Sequence, residues 1–146
     1  MKNKEIAIEK GILSTIQSLI PYSNHQESQG IMIHGIGQVG SYLASELYRL
    51  GYKIIGVSDP QGAIYNSSGL DIPNILRKKD SFGLVTKSIP NSIALDEFMQ
   101  KECDMLVLTA KGEQIKTIIA EQINAHTILE TVTHSVEKSA LKNTDG

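Results

Sequence analysis

A glycine-rich turn between two apolar segments constrains the fold of this chain most strongly. Residues 31–34 are "IMIH", and Gly35, Gly37 and Gly40 then complete the pattern G-x-G-x-x-G. The turn continues into "QVGSYLASELYRLG", which has helical periodicity, and a β-branched segment, "YKIIGVSD", follows it. A strand, a tight turn, a helix and a second strand form the unit that binds dinucleotides in Rossmann folds. The sequence therefore predicts one such unit in this region.

Each glycine of the turn has its own physical role in that unit. The first permits the tight turn, the second lets the backbone approach a pyrophosphate, and the third lets the helix pack against the strand. The helix that begins near Gln38 points its free N–H groups and its positive dipole end at the phosphates. The glycine pattern alone is a weak signal, but here it follows a strand and opens a helix. We predict that the turn binds a cofactor through Gly35, Ile36, Gly37, Gln38, Val39 and Gly40.

An acidic residue ends the second strand. Asp59 lies 24 positions after Gly35, where a carboxylate accepts hydrogen bonds from the adenosine ribose hydroxyls. An acid there disfavours a 2′-phosphate, and no arginine follows it closely, so NAD is favoured over NADP. The alternative is an aspartate that only caps a loop turn, and we place the ribose role above it. Asp59 and Pro60 are therefore added to the predicted cofactor-binding residues.

The rest of the chain alternates between strand and helix patterns. We predict an amphipathic helix over residues 4–20, a C-cap glycine at Gly51, loop chemistry over 60–71, an N-cap at Asp71, and a terminal helix over 135–143. The other predicted helices cover residues 72–80, 94–102 and 113–123, and the other strands cover 105–110 and 126–130. This alternation predicts an α/β fold that is Rossmann-like and doubly wound, with a mainly parallel sheet and helices on both faces. Residues 1–29 are expected to form a helix and linker, and 30–146 the dinucleotide-binding domain, within one globular unit.

Composition narrows the classes of partner. The chain has 14 basic and 16 acidic side chains, which leaves no electrostatic footprint for nucleic acid or for an anionic membrane. No segment approaches the ~20 apolar residues that span a bilayer, and the N-terminus lacks the continuous apolar core of a signal peptide. We therefore expect a cytoplasmic protein with no nucleic-acid or membrane partner.

The remaining reactive residue types show no recognisable site. Cys103 is the single cysteine and is predicted to be a small buried hydrophobe. The four histidines lack metal-ligand spacing, so no metal site is predicted. His34 could reach a bound phosphate, but we favour a structural role. The basic run of residues 77–79 is interpreted as solvated cations that complement a helix dipole.

The segment "GIGQVGSYLASELYRLGYKIIGVSDPQGAIYNSSGLDIPNIL" resembles the cofactor domain of glutamate dehydrogenases, within the glutamate/leucine/phenylalanine/valine dehydrogenase superfamily. The signature "VSD…G.IYN..GLDIP" is its most specific part and points to the glutamate branch. The later segment "CDMLVLTAKGEQI" is similar to the family's "CDIL…PAA…ENQI" strand and loop, which lines the cofactor. The resemblance covers most of residues 30–130 and implies further cofactor contacts at Thr109 and Ala110.

The chain also departs from the family pattern. The family's "EGAN" is replaced by "ETVT", so Thr133 stands where an asparagine lies near the nicotinamide carboxamide. The family's "ATGRG" corresponds to "AIEKG", with Ile8 and Glu9 at the Thr-Gly positions. His134, beside the altered run, could line the nicotinamide space. The family's substrate domain, which supplies the catalytic lysine and aspartate, is not recognised, so no catalytic residue is predicted in this chain.

Three functions remain open at this point. The first is a module that binds NAD or an adenine nucleotide and is not catalytic alone. The second is the cofactor-binding subunit of a split NAD-dependent glutamate or amino-acid dehydrogenase, which needs a separate substrate-domain chain. The third is an interaction scaffold without a ligand. A homo-oligomer or a separate protein partner is compatible with all three.

Overall fold

One six-stranded sheet organises the chain, in the order β1-β6-β5-β2-β3-β4. A computed structural model describes residues 3–8 (as backbone), 11–20, 29–109 and 122–132. The strands are β1 (Asn3–Ile8), β2 (Ile31–His34), β3 (Ile54–Asp59), β4 (Gly62–Tyr65), β5 (Cys103–Leu108) and β6 (Ala125–Val132). The described helices are α1 (Ile12–Leu19), α2 (Gln38–Arg49), α3 (Ile72–Arg77) and α4 (Leu95–Met99).

The sheet is mainly parallel, and its strand order reverses at β2. Strand β2 pairs in parallel with β3 on one side and with β5 on the other, and β6 pairs in parallel with β5 and β1. Among the strands that the structure describes, only β4 is antiparallel, to β3. Ligands of open α/β sheets bind at such a switch point, beyond the carboxyl ends of the strands. The predicted α/β, Rossmann-like fold is confirmed.

Alternate residues of the central strands enter two separate hydrophobic cores. Ile31 and Ile33 of β2 pack in the core that includes α1, α2 and α3 residues, whereas Met32 packs with Phe98 and Met99 of α4. This alternation follows from the two-residue period of a strand, whose neighbouring side chains point to opposite faces. Both faces of the sheet are therefore covered by helices.

The predicted helix over residues 4–20 is wrong in its first half. Asn3–Ile8 is a strand whose register with β6 runs from Asn3 opposite Thr127 to Ile8 opposite Val132. The helix α1 begins only after Gly11, its N-cap residue. Short apolar segments fit a helical and a strand period equally well, and here the free edge of β6 supplies the backbone partners. The first strand thus belongs to the same sheet as the strands that follow residue 29.

The segment predicted as loop over residues 60–71 contains a strand as well. Gly62–Tyr65 forms a hairpin with β3, in which Asp59 pairs with Gly62 and Gly56 with Tyr65. Other local predictions are confirmed: Asp71 caps α3 by accepting from the Asn74 N–H, and Gly51 after α2 has φ 93°. The predicted helices over 113–123 and 135–143 lie mainly outside the described residues.

Candidate functional site

A cavity of about 420 Å³ lies at the carboxyl ends of β2, β3 and β5. Its lining comes from residues 34–39, residues 58–60, Lys79 with residues 82–84, and Thr109. Eight predicted cofactor-binding residues are among them: Gly35, Ile36, Gly37, Gln38, Val39, Asp59, Pro60 and Thr109. Gly40 is buried in α2 and does not line the cavity. Ala110 is outside the described residues. The fold therefore brings the predicted residues together at the switch point of the sheet.

Backbone conformation or packing requires glycine at some positions of the turn but not at all three. Gly35 has φ 100°, a conformation that favours glycine. A Cβ atom on Gly40 would lie 1.8 Å from the Gly35 carbonyl oxygen, so glycine is needed for α2 to approach the turn. A Cβ atom on Gly37 would have no heavy atom of the described residues within 4 Å, and its φ of −72° suits any residue. Turn and packing explain Gly35 and Gly40, but not Gly37.

Hydrogen bonds from both neighbouring strands hold the turn in place. From the β5 side, the Thr109 hydroxyl donates to the carbonyls of His34, at 3.0 Å, and Gly35, at 2.7 Å. From the β3 side, the Gly35 N–H donates to Ser58 Oγ at 3.0 Å. His34 is buried, with Nδ1 2.8 Å from the same Ser58 oxygen, which agrees with the predicted structural role. Protein hydrogen bonds from both neighbouring strands therefore position the turn.

The Asp59 carboxylate is occupied by protein donors. Oδ1 accepts from the N–H groups of Gln61 at 2.8 Å and Gly62 at 3.2 Å, and Oδ2 accepts from those of Val85 and Thr86, both at 2.9 Å. The Thr86 hydroxyl lies 3.1 Å from Oδ1 and 3.0 Å from Oδ2. The side chain therefore ties the β3–β4 turn to a loop 26 positions away. The loop-capping alternative describes these contacts, while the ribose role stays a prediction that requires ribose hydroxyls to compete with them.

The same contacts determine the charge of Asp59. Burial opposes ionisation, but the hydrogen bonds from Thr86, Gln61 and Val85 outweigh it and lower the pKa of the carboxyl below its ordinary value. The group is consequently a carboxylate at neutral pH, and it lines the cavity. A fixed negative charge lies at the β3 end of the site.

Lys79 was missed as a site residue. The basic run was interpreted as solvated, which holds for the exposed Arg77 and Lys78 but is wrong for the half-buried Lys79. The Lys79 ammonium donates to Ser41 Oγ on α2 and lines the cavity, and burial lowers its pKa. Lys79 and Ser41 are 38 positions apart, so no local pattern could have paired them.

The rest of the cavity wall comes from the loop after α3. Phe82, Gly83 and Leu84 line the cavity, and none of them was predicted. No spacing rule connects such a loop to a glycine turn, and its approach depends on the Asp59 contacts described above.

Several other predictions concern residues elsewhere. Cys103 is fully buried, and burial raises the pKa of its thiol to about 12, which confirms its role as a core residue. Glu9, Thr133 and His134 lie outside the described residues. The described part of the chain contains no cluster of three or more His, Cys, Asp or Glu side chains suited to a metal ion. No described helix is long and apolar enough to cross a membrane.

Comparison with known proteins identifies the family. The sequence model of the Glutamate/Leucine/Phenylalanine/Valine dehydrogenase family matches residues 2–143. The chain is 37% identical over 130 residues to the catabolic NAD-specific glutamate dehydrogenase RocG of Bacillus subtilis, covering 88% of this chain and 31% of that protein. It is 39% identical over 121 residues to an NAD-specific glutamate dehydrogenase of Staphylococcus aureus (strain COL), covering 82% and 29%.

Solved structures of glutamate dehydrogenases share the fold of this chain. A hetero-hexameric glutamate dehydrogenase from Thermus thermophilus superposes with a TM-score of 0.69 at 24% identity, over 93% of this chain and 33% of that one. A glutamate dehydrogenase from Peptoniphilus asaccharolyticus gives a TM-score of 0.56 at 19% identity, over 94% and 32%. This chain spans about 30% of the length of the curated relatives described above. It therefore belongs to the Glutamate/Leucine/Phenylalanine/Valine dehydrogenase family and corresponds to one part of a glutamate dehydrogenase.

Proposed function

We propose that this chain binds NAD or an adenine nucleotide, with NAD favoured over NADP, in the cavity at the switch point of its sheet. The observation that carries the proposal is Gly37. Neither backbone conformation nor packing against the described residues requires a glycine there. A ligand whose phosphates approach the backbone does require one, because a side chain would occupy that space.

The surroundings of Gly37 are suited to phosphates. An α-helix leaves its first N–H groups without partners inside the helix, and Gly37, as the N-cap of α2, has no side chain to satisfy them. These groups and the helix dipole favour an anion at this end of α2. The Lys79 ammonium, hydrogen-bonded to Ser41 in the first turns of α2, adds a positive charge to the same cavity.

The preference for NAD over NADP is supported by charge. The Asp59 carboxylate is ionised at neutral pH and lines the cavity at the end of β3, where the adenosine ribose lies in folds of this kind. A 2′-phosphate would be repelled by this charge. The relatives from Bacillus subtilis and Staphylococcus aureus are described as NAD-specific glutamate dehydrogenases, which agrees with this preference.

Calorimetric titration of the full chain with NAD, ADP, AMP and NADP tests the proposal. We expect NAD and ADP to bind with similar affinity and NADP to bind more weakly. Gly37→Ala should weaken ADP binding at least tenfold, because its methyl group intrudes on the phosphates. The melting temperature of Gly37→Ala should stay close to that of the wild type. Absence of binding by every nucleotide would contradict the proposal and favour an interaction scaffold.

A second function is favoured by the coverage of the relatives. Because the matched region is only 31% of the Bacillus subtilis enzyme, dehydrogenase activity by this chain would need a substrate-binding region from elsewhere. If a separate chain supplies that region, the two chains should co-purify from the native cell and show amino-acid dehydrogenase activity together. Strong preference for NAD over ADP in the titration would support this assembly, since the nicotinamide half would then be recognised. A cytoplasmic location of this chain remains a prediction.

A further inference from the structure

One loop of the cavity wall is held by hydrogen bonds at its far end and within its turn. This rim loop, residues 79–86, is anchored at its far end by the Val85 and Thr86 N–H groups, which donate to Asp59. Within it, Asp80 Oδ1 accepts from the N–H groups of Phe82 and Leu84, both at 2.9 Å. The Asp80 N–H also donates to the Leu84 carbonyl at 2.9 Å. The loop is therefore a turn closed by its own hydrogen bonds.

The rim loop exposes a phenyl ring. Phe82 is 82% exposed, more than the other exposed large apolar side chains of the described residues, Tyr42, Tyr48 and Leu19. Gly83, directly after it, has φ 79°, so the turn that projects the ring uses a backbone conformation that favours glycine. A side chain this exposed contributes little to the core of the chain. Because Phe82 also lines the cavity, its exposed face is available to a ligand that enters there.

The ring lies at a specific end of the cavity. Phe82 lines the same cavity as Gly35 and Gly37, and its loop is attached through Asp59 to the end of β3. Thr109 belongs to the opposite side, because β5 and β3 flank β2 on its two edges. In a Rossmann unit, the end of the strand that follows the glycine turn and its helix is the adenosine side. Phe82 is thus placed beyond the phosphates on the side of the base.

We propose that Phe82 stacks on the purine base of the bound nucleotide and is a base-recognising residue of this site. A purine has a flat, polarisable face, and aromatic rings pair with such faces in offset stacks. The rim loop presents the ring already ordered, so stacking does not require the loop to fold on binding. This inference rests on the proposed nucleotide-binding function and adds the residue that reads the base.

Substitutions at Phe82 test the stacking with two probes. Full-length wild type, Phe82→Ala, Phe82→Leu and Phe82→Tyr are titrated with ADP and with inorganic pyrophosphate, which lacks a base. Loss of a base–aromatic stack weakens binding by about tenfold. We expect this loss of ADP affinity for Phe82→Ala and Phe82→Leu, and near-wild-type affinity for Phe82→Tyr. Pyrophosphate affinity should be unchanged in all of them, and so should ADP affinity in Tyr42→Ala, a control at an exposed aromatic residue that does not line the cavity.

Fluorescence of a tryptophan at position 82 reports the contact directly. The chain contains no tryptophan, so Phe82→Trp introduces a single indole whose fluorescence should be quenched by ADP and not by pyrophosphate.

Equal ADP affinity of wild type and Phe82→Ala, or equal loss of ADP and pyrophosphate binding, would overturn the inference while leaving nucleotide binding intact. A change in association state of Phe82→Ala at unchanged ADP affinity would also overturn it and assign the ring to a protein contact. If the wild type binds pyrophosphate but not ADP, or binds neither, the proposed function itself fails and the stacking role fails with it.

Discussion

The Asp59 carboxylate connects the site to the fold at the scale of a single residue. It accepts from the N–H groups of Gln61, Gly62, Val85 and Thr86 and is 3% exposed. Buried donors that lose a charged acceptor cost about 1–3 kcal/mol or more, because they are left without water as well. One side chain therefore supports the rim loop and the negative charge of the cavity.

Asp59→Asn should lower the free energy of unfolding at pH 7 by roughly 2 kcal/mol or more, since an amide offers one acceptor oxygen where two are used. Because the folded-state pKa of Asp59 is lowered, its contribution is present above the unfolded value of about 3.9 and is lost as pH falls through the lower folded value. Urea denaturation from pH 7 down to pH 2 measures both effects. The free energy of unfolding of Asp59→Asn should fall less steeply with decreasing pH than that of the wild type. Equal slopes would argue against a lowered pKa of Asp59 in the folded chain.

Lys79→Ala should weaken ADP binding about five- to tenfold while changing thermal stability little, because it removes a cation from the cavity in which we propose that the phosphates bind. The exposed neighbour Lys78 provides the matched control, and Lys78→Ala should bind ADP as the wild type does. Titrations at low and high salt give a second measurement, in which the Lys79 variant should show the weaker salt dependence. A similar loss in both variants would mean that only net charge matters.

At the scale of elements, the approach of α2 to the turn after β2 depends on Gly40. The Gly35 carbonyl occupies the space where a Cβ atom would lie, and that carbonyl is also held by the Thr109 hydroxyl. The obstacle is backbone, so it cannot move aside as the end of a flexible side chain could. The helix and strand can pack as they do only with a glycine at this position.

Gly40→Ala should therefore destabilise the protein by more than about 2 kcal/mol, in the range of overpacked core positions. Gly37→Ala is the comparison within the same turn and should leave stability almost unchanged, because its Cβ meets open space. Thermal and urea unfolding of the two variants give the contrast. Equal stabilities would show that α2 can shift away from the turn at little cost.

At the scale of the whole molecule, Cys103 reports on opening of the core. It is fully buried in the cluster that contains Met32, Phe98 and Leu106, and burial raises the pKa of its thiol to about 12. The thiolate that reacts with disulfide reagents is therefore scarce and inaccessible in the folded chain. Its modification therefore requires this core cluster to open.

Labelling of Cys103 by an aromatic disulfide reagent at pH 8 should be slow in the native protein and rapid in urea. The labelling rate should follow global unfolding, so a variant destabilised at Gly40 should react faster by about tenfold for every 1.4 kcal/mol of stability lost. Absorbance of the released thiolate measures the rate. Fast labelling of the native wild type would mean that this core opens locally.

The secondary structure was predictable where local chemistry determines it. The strand "IMIH", the helix α2, the cap at Asp71 and the left-handed Gly51 follow from side-chain periodicity and turn preferences within a few positions. The first strand was not predictable in this way. Residues 3–8 pair with β6, more than 120 positions later, and the backbone partners of a strand are not encoded in its own period.

The glycine turn and the family signature follow from the amino-acid sequence, because each depends on residue types at short fixed spacings. The α/β fold class follows from the alternation of strand and helix patterns along the chain. The tertiary structure alone decided how the carboxylate of Asp59 is used and which residues complete the cavity. Val85 and Thr86 reach Asp59, Lys79 reaches Ser41, and Phe82 reaches the cavity rim only through long-range packing. Hydrogen bonds act over about 3 Å in space, and the distance along the chain between such partners is set by the fold.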